Sequence, residues 1–315
     1  MAQPKILSVV GPTACGKTKM GILLAKQLGG EVVSVDSMQI YRGMTVGTAA
    51  PTAEEMEGIP HHMIAVADPA ESWSVARFVD AADACIQDIL GRGKLPVLVG
   101  GTGLYLDALV RGNSFAEGHS GTEVRLALQK RMAEEGAAVL LEELRAIDPE
   151  AAEKLHLKDE KRILRALEVW QETGKTITQH NLETQAVPPR YEAAYIGLDF
   201  ENRDDLRARI DRRVDLMVEA GLLQEVRDLL SSGIPRTATA LQAIGYKQFL
   251  AVEEGRASEA EAVEEVKLRS RQYAKRQLTW LRRNEAIHWI RWEKVPDFQS
   301  ALQKATEILT ALGLS

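Results

Sequence analysis

An octapeptide close to the N-terminus, Gly11-Pro12-Thr13-Ala14-Cys15-Gly16-Lys17-Thr18, satisfies the phosphate-loop pattern G-x-x-x-x-G-K-[ST] at every fixed position. Backbone N–H groups of such a loop point inward, and the N-terminus of the following helix adds partial positive charge. Lys17 can reach terminal phosphate oxygens, and Thr18 can hold a magnesium ion. The octapeptide therefore predicts a pyrophosphate site without saying whose pyrophosphate it is. Asp36 closes the apolar run VVSVD a little further on. Its position admits three readings: a magnesium-organising acid of the Walker-B kind, a general base, or a turn cap. Ser37 and Gln39 follow, with side chains able to hydrogen-bond a base edge, although taken alone they read as an ordinary polar loop. Gly100-Gly101-Thr102-Gly103 is a second glycine-rich turn, in which the Thr102 hydroxyl could donate to a leaving oxygen.

Three further groups carry less. Arg209 and Arg213 are four apart and share a helix face, which suits a pyrophosphate clamp or a solvated face beside Asp204, Asp205 and Asp211. Lys161, Arg162 and Arg165 make a small basic patch that is indistinguishable from a solvated helix. His61-His62 is tempting as a metal pair, but neighbours on a strand point to opposite faces, which favours a structural role.

The elements that must position these groups alternate. Lys5 to Val10, Glu31 to Val35 and Pro96 to Gly100 read as strands, Lys17 to Leu28 and Val75 to Leu90 as helices. Strands alternating with helices predict an α/β fold with a doubly wound parallel sheet, whose ligands bind at the C-terminal strand ends. The phosphate loop, Asp36 and the turn at Gly100 to Thr102 should therefore converge on one crevice. Gly112 to Gly121 is a glycine-rich, polar break, and the pattern from there to about Gln185 is helical throughout. It reads as an all-helical insertion over 113–189 between core segments 1–112 and 190–315. A returning strand is expected at Glu192 to Phe200 and a late one at Ile287 to Trp292. Helices are expected at Arg203 to Ala220, Leu222 to Leu230, Ser258 to Arg283 and Phe298 to Leu312.

The 315 residues are 45% apolar and 27% charged, an ordinary composition for a soluble protein. No uncharged apolar stretch is long enough to span a membrane, and the first strand leaves no room for a signal peptide. Cys15 and Cys85 provide no disulfide framework. The chain is expected to be cytoplasmic and monomeric. A net charge of −6 argues weakly against nucleic acid. Its distribution argues the other way, because Lys267 to Arg283 holds seven cations and no acid in seventeen residues, with Tyr273 and Trp280 among them.

Taken in order, GPTACGKT, DSMQIYRGMTVGTA, HHMI, GGTGLY, RALEVW-x3-GK, AIGYKQ and RQYAKRQLTW resemble the bacterial tRNA dimethylallyltransferases, also called tRNA isopentenyltransferases, over nearly the whole chain. The resemblance implies a P-loop NTPase-like core that carries a helical insertion domain. It implies transfer of a dimethylallyl group from dimethylallyl diphosphate to N6 of adenosine 37, beside the tRNA anticodon. The loop from Gly11 to Thr18 would hold the diphosphate, with Lys17 on its oxygens and Mg2+ at Thr18. Asp36 would be the general base, and Thr102 would contact the bridging oxygen of the leaving diphosphate. Arg209 would contact the diphosphate, helped by Arg213. Ser37, Met38 and Gln39 would receive the flipped base. The stretches meeting tRNA would be Lys161, Arg162, Ile163, Leu164 and Arg165; Gln242, Ala243, Ile244, Gly245, Tyr246 and Lys247; and Lys275, Arg276, Gln277, Leu278, Thr279, Trp280, Leu281 and Arg282. Departures from the family pattern fall at Cys15, Ala50, Leu157-Lys158 and Ser270. The alternatives are a prenyltransferase of free adenine nucleotides and a P-loop kinase or ATPase.

Overall fold

The computed structural model describes residues 3–112 and 123–314. Among these, six strands form one sheet: β1 (Lys5–Val10), β2 (Glu31–Val35), β3 (His61–His62), β4 (Pro96–Gly100), β5 (Glu192–Phe200) and β6 (Ile287–Trp292). Their order is β3-β2-β4-β1-β5-β6, and every pairing is parallel. The central strands are buried on both faces, which is why KILSVV and EVVSV read as continuous apolar runs rather than alternating ones. The two-residue β3 is an addition to the five strands expected, too short to leave a periodic signal.

Helices Lys17–Gln27 and Val75–Gly91 join the first strands. Ser74 starts the second by accepting from the Arg77 N–H. Arg203–Glu219, Leu222–Ser231, Tyr246–Glu253 and the long Glu259–Leu281 lie between β5 and β6, and Phe298–Ala311 follows β6. Ser258 and Glu261 form a capping box at the start of the long helix.

The chain divides into two compact units, 1–112 with 190–315, and 113–189. In the second, helices Glu123–Glu135, Ala137–Ile147, Pro149–Glu153, Glu160–Thr173 and Ile177–Ala186 succeed one another without an intervening strand among the described residues. They close over a core of their own that includes Leu128, Leu140, Leu144, Ile163 and Leu167. Of the glycine-rich break expected at Gly112 to Gly121, all but Gly112 lies outside the described residues.

Glu31, at the start of β2, is buried and bonded by Arg92, Lys94 and His62. His62 thus serves an ion cluster at the base of the sheet, while His61 Nδ1 lies 2.8 Å from the Ile59 carbonyl, so the two histidines do not form a metal pair. Arg92 above all, then Lys94 and His62, hold the Glu31 carboxyl far below its ordinary 4.5 against the cost of burial. A lowered folded-state value means that this contribution to stability is present above the ordinary value and fades as pH falls through the folded one. Glu31→Gln is expected to destabilise the protein by about 1–3 kcal/mol at neutral pH. Urea titrations should show that gap holding down to roughly pH 5 and narrowing in stronger acid.

Candidate active site

The C-terminal ends of β1, β2 and β4 open into a cavity of about 940 Å3. Its wall includes Thr13, Gly16, Lys17 and Thr18 of the phosphate loop, Asp36 and Gln39 after β2, Gly100 and Gly101 after β4, and Arg209 and Arg213. Segments distant in sequence meet here because neighbouring parallel strands all end on the same edge of the sheet.

Local conformation makes the loop. Gly11 (φ 152°) and Gly16 (φ 94°) take backbone angles that suit glycine, and Ala14 is left-handed at φ 64°. Four side chains brace the loop. Lys17 Nζ donates to Pro12 O at 2.7 Å, Arg209 Nε to Ala14 O at 3.1 Å, and Trp292 Nε1 to Cys15 O at 2.8 Å. Gln277 Oε1 accepts the Thr13 N–H at 2.9 Å, and its Nε2 donates to Gly101 O at 3.1 Å. One amide therefore ties the phosphate loop to the second glycine turn. Burial pushes the Lys17 ammonium below the usual lysine range and the Cys15 thiol above the usual cysteine range. A buried, proton-retaining thiol is a packing residue and a poor nucleophile.

Asp36 Oδ1 accepts the Met38 N–H at 2.8 Å and the Gln39 N–H at 3.3 Å, so the turn-cap reading holds for one oxygen while the carboxylate also lines the cavity. Gln39 accepts from Ser34 Oγ at 2.9 Å. Thr102 Oγ1 accepts the Ser37 N–H at 3.4 Å. Thr102 is thus placed beside the Asp36 turn, but it is not among the residues that line the cavity. Burial, reinforced by Asp36, pushes the Tyr273 hydroxyl up to about 12, which keeps it a neutral donor.

The two arginines divide their work. Arg209 is tied to the loop and lies 5.6 Å from the Phe200 ring centre. Arg213 lines the cavity with a buried Nε that has no hydrogen-bond partner among the described residues. Burial lowers its pKa, opposed first by Asp36. An unpartnered buried guanidinium N–H beside a phosphate loop suits an anion.

Several residues expected to meet RNA turn inward. Gln277, Leu278 and Leu281 are buried, and Trp280 Nε1 donates to Asp107 at 2.7 Å. Ala274, Gln277, Leu278 and Leu281 follow the i, i+3, i+4, i+7 pattern of a core-facing helix, a signal present in the sequence. Ile163 and Leu164 belong to the helical unit's own core, and Tyr246 is fully buried. Arg165 pairs with Glu168 at 2.9 Å. Gly245 is buried, and Ala243 and Ile244 are half-buried. The acid-free run from Lys267 to Arg283 also meets acids in three dimensions. Lys267 pairs with Asp215 at 2.8 Å, Arg271 with Asp211 at 2.6 Å, and Arg282 with Asp199 at 3.2 Å. Lys161, Arg162, Gln242, Lys247, Lys275, Arg276, Thr279 and Arg282 remain exposed. Of the departures from the family pattern, Ala50 lines the cavity and Leu157 is exposed.

Sheet, phosphate loop and cavity define a P-loop α/β protein with room for a diphosphate and a second group opposite it. The IPP transferase family model matches residues 39–284, and the isopentenyl transferase model matches 4–67. The chain is 48% identical to the tRNA dimethylallyltransferase of Geobacillus thermodenitrificans, over 90% of each chain. Among solved structures, the tRNA isopentenylpyrophosphate transferase of Bacillus halodurans is 41% identical, covers 98% of both chains and has a TM-score of 0.72. A eukaryotic dimethylallyltransferase acting on tRNA is 29% identical, with a TM-score of 0.83 over 98% of this chain and 80% of its own. The chain belongs to the IPP transferase family.

Replacing Gln277 with leucine removes both hydrogen bonds and strands the Thr13 N–H. Gln277→Leu is expected to cost about 2–3 kcal/mol in denaturant unfolding and to weaken pyrophosphate binding, read by isothermal titration calorimetry.

Proposed function

We propose that this protein is a tRNA dimethylallyltransferase that moves the dimethylallyl group of dimethylallyl diphosphate to N6 of adenosine 37 beside the anticodon, releasing diphosphate. It works in the cytoplasm as a monomer. The observation that carries the reading is that the phosphate loop and the Asp36 carboxylate wall one cavity, so a diphosphate on the loop faces a base.

Adenine N6 is a weak nucleophile because its lone pair is delocalised into the ring. Asp36 takes its proton as the carbon–nitrogen bond forms, while the carbon–oxygen bond to diphosphate breaks. The charge that develops on the diphosphate falls to Lys17, Arg209, Arg213 and the N–H groups of the loop. Thr102, beside the Asp36 turn, is offered to the bridging oxygen. The adenine must leave its stack to enter, which costs least in a single-stranded loop.

Thr18 lines the cavity beside Lys17, and among the described residues no three His, Cys, Asp or Glu side chains form a metal cage. Thr18 would hold magnesium there, and the ion would supply further charge neutralisation on the diphosphate. Ser37, Met38 and Gln39 receive the base. The exposed Lys161, Arg162, Lys247, Lys275, Arg276 and Arg282 meet the phosphates of the anticodon stem-loop.

Labelled dimethylallyl diphosphate, magnesium and unmodified tRNA should yield labelled tRNA. Label only in free nucleotides would replace the reading with a nucleotide prenyltransferase, and ATP hydrolysis without transfer with an ATPase. Asp36→Ala should lower kcat by about 10²–10⁴-fold with tRNA affinity kept. Lost affinity with normal turnover at saturation would overturn the general-base role.

A further inference from the structure

Glu225, on helix Leu222–Ser231, is a buried carboxylate that receives five hydrogen bonds. Its Oε2 accepts from Thr45 N at 2.7 Å, Thr45 Oγ1 at 3.0 Å and Val46 N at 2.8 Å. Its Oε1 accepts from Gly47 N at 2.9 Å and Tyr246 Oη at 2.5 Å. Three consecutive backbone N–H groups of a loop thus end on a side chain about 180 positions further along the chain. Burying a carboxylate is costly unless its lone pairs are met, and here both oxygens are met by donors.

The segment so held is part of the cavity wall, since Thr45, Val46, Thr48 and Ala49 all line it. It is joined to the catalytic turn. Gln39 Nε2 donates to the Thr48 and Ala49 carbonyls, each at 3.4 Å, while the Gln39 N–H donates to Asp36. Space there is already full. A Cβ on Gly47 would lie 2.5 Å from the Tyr246 ring, so the loop approaches that ring as closely as it does because the residue is glycine. The phosphate loop has separate braces in Lys17, Arg209, Gln277 and Trp292, and the hydrogen bonds of Glu225 among the described residues go to other groups.

We infer that Glu225 is a positioning residue for the acceptor side of the cavity: it sets the Thr45–Gly47 wall, and through Gln39 the Asp36 turn, without acting on the diphosphate side. The acceptor being an RNA base rests on the function proposed above. The inference separates two halves of one site. Loss of Glu225 should disturb the handling of RNA and spare that of diphosphate, whereas a general loss of stability would disturb both.

Glu225→Gln keeps the size but sets an N–H against N–H donors, and Tyr246→Phe removes one donor in the event that the first variant does not fold. Each would be compared with the wild-type protein in three measurements: steady-state prenyl transfer with tRNA varied, calorimetric binding of inorganic pyrophosphate with magnesium, and backbone amide exchange. For Glu225→Gln we expect kcat/KM for tRNA to fall about tenfold or more while pyrophosphate Kd stays within about twofold. Amide protection should be lost at Thr45, Val46 and Gly47 but kept in β1 and β4. Tyr246→Phe should give a smaller change of the same kind. Unchanged tRNA turnover, or tRNA turnover and pyrophosphate binding falling together, would overturn the inference. A wild-type protein that transfers no prenyl group would overturn the function instead, and amide protection at Thr45 to Gly47 would still decide whether Glu225 sets that wall.

Discussion

Strands β2, β4 and β1 lie side by side in parallel, and so all three deliver their C-terminal ends to one edge of the sheet. Parallel pairing requires a crossover after each strand, so whatever follows the strands must be packed into little space. Glycine makes that possible. A Cβ on Gly100 would lie 2.1 Å from the Val35 carbonyl, and one on Gly11 would lie 2.3 Å from the Leu198 carbonyl. A Cβ on Gly101 would lie 2.2 Å from Gln277 Nε2, so this glycine leaves room for the side chain that spans from Thr13 to Gly101. The phosphate loop, the turn that carries Asp36 and the turn that carries Thr102 are placed by that edge and not by contacts with one another alone.

Charge at this edge is unbalanced in a way that invites a diphosphate. Lys17 and Arg213 are both pushed down in pKa by burial, which Asp36 opposes at both and Glu55 opposes at Arg213. A diphosphate supplies the missing negative charge and would restore to both cations the proton affinity that burial removes. A group leaving as diphosphate gains the same stabilisation as its charge grows, which is the sense in which a binding site of this kind can also be catalytic.

The chemistry was more legible in the sequence than the contacts. Lys17, Thr18 and Asp36 are legible as residues of one cavity because a phosphate loop has fixed spacing and parallel strands end on one edge, whereas the position of Asp36 alone leaves a metal-organising acid, a base and a turn cap open. Gln277 stands among the residues expected to meet RNA, yet Ala274, Leu278 and Leu281 around it trace the buried stripe of a helix. Ile163 and Leu164 likewise pack into the helical unit's own core beside the exposed Lys161 and Arg162. Glu225 left no signal, since a glutamate on an amphipathic helix is ordinary until a loop some 180 residues earlier is folded onto it. Nor could the neutralisation of Lys267, Arg271 and Arg282 be foreseen, because Asp215, Asp211 and Asp199 belong to other elements.

The central claim is that donor and acceptor meet in a single cavity, with diphosphate on the loop and an adenine opposite it. A crystal structure of the protein with magnesium, pyrophosphate and an unmodified anticodon stem-loop would test it most directly. The account predicts pyrophosphate cradled by Gly11 to Thr18, and a flipped adenine whose N6 lies within about 3 Å of an Asp36 oxygen. Pyrophosphate bound away from that loop, or an adenine held out of reach of Asp36, would contradict it.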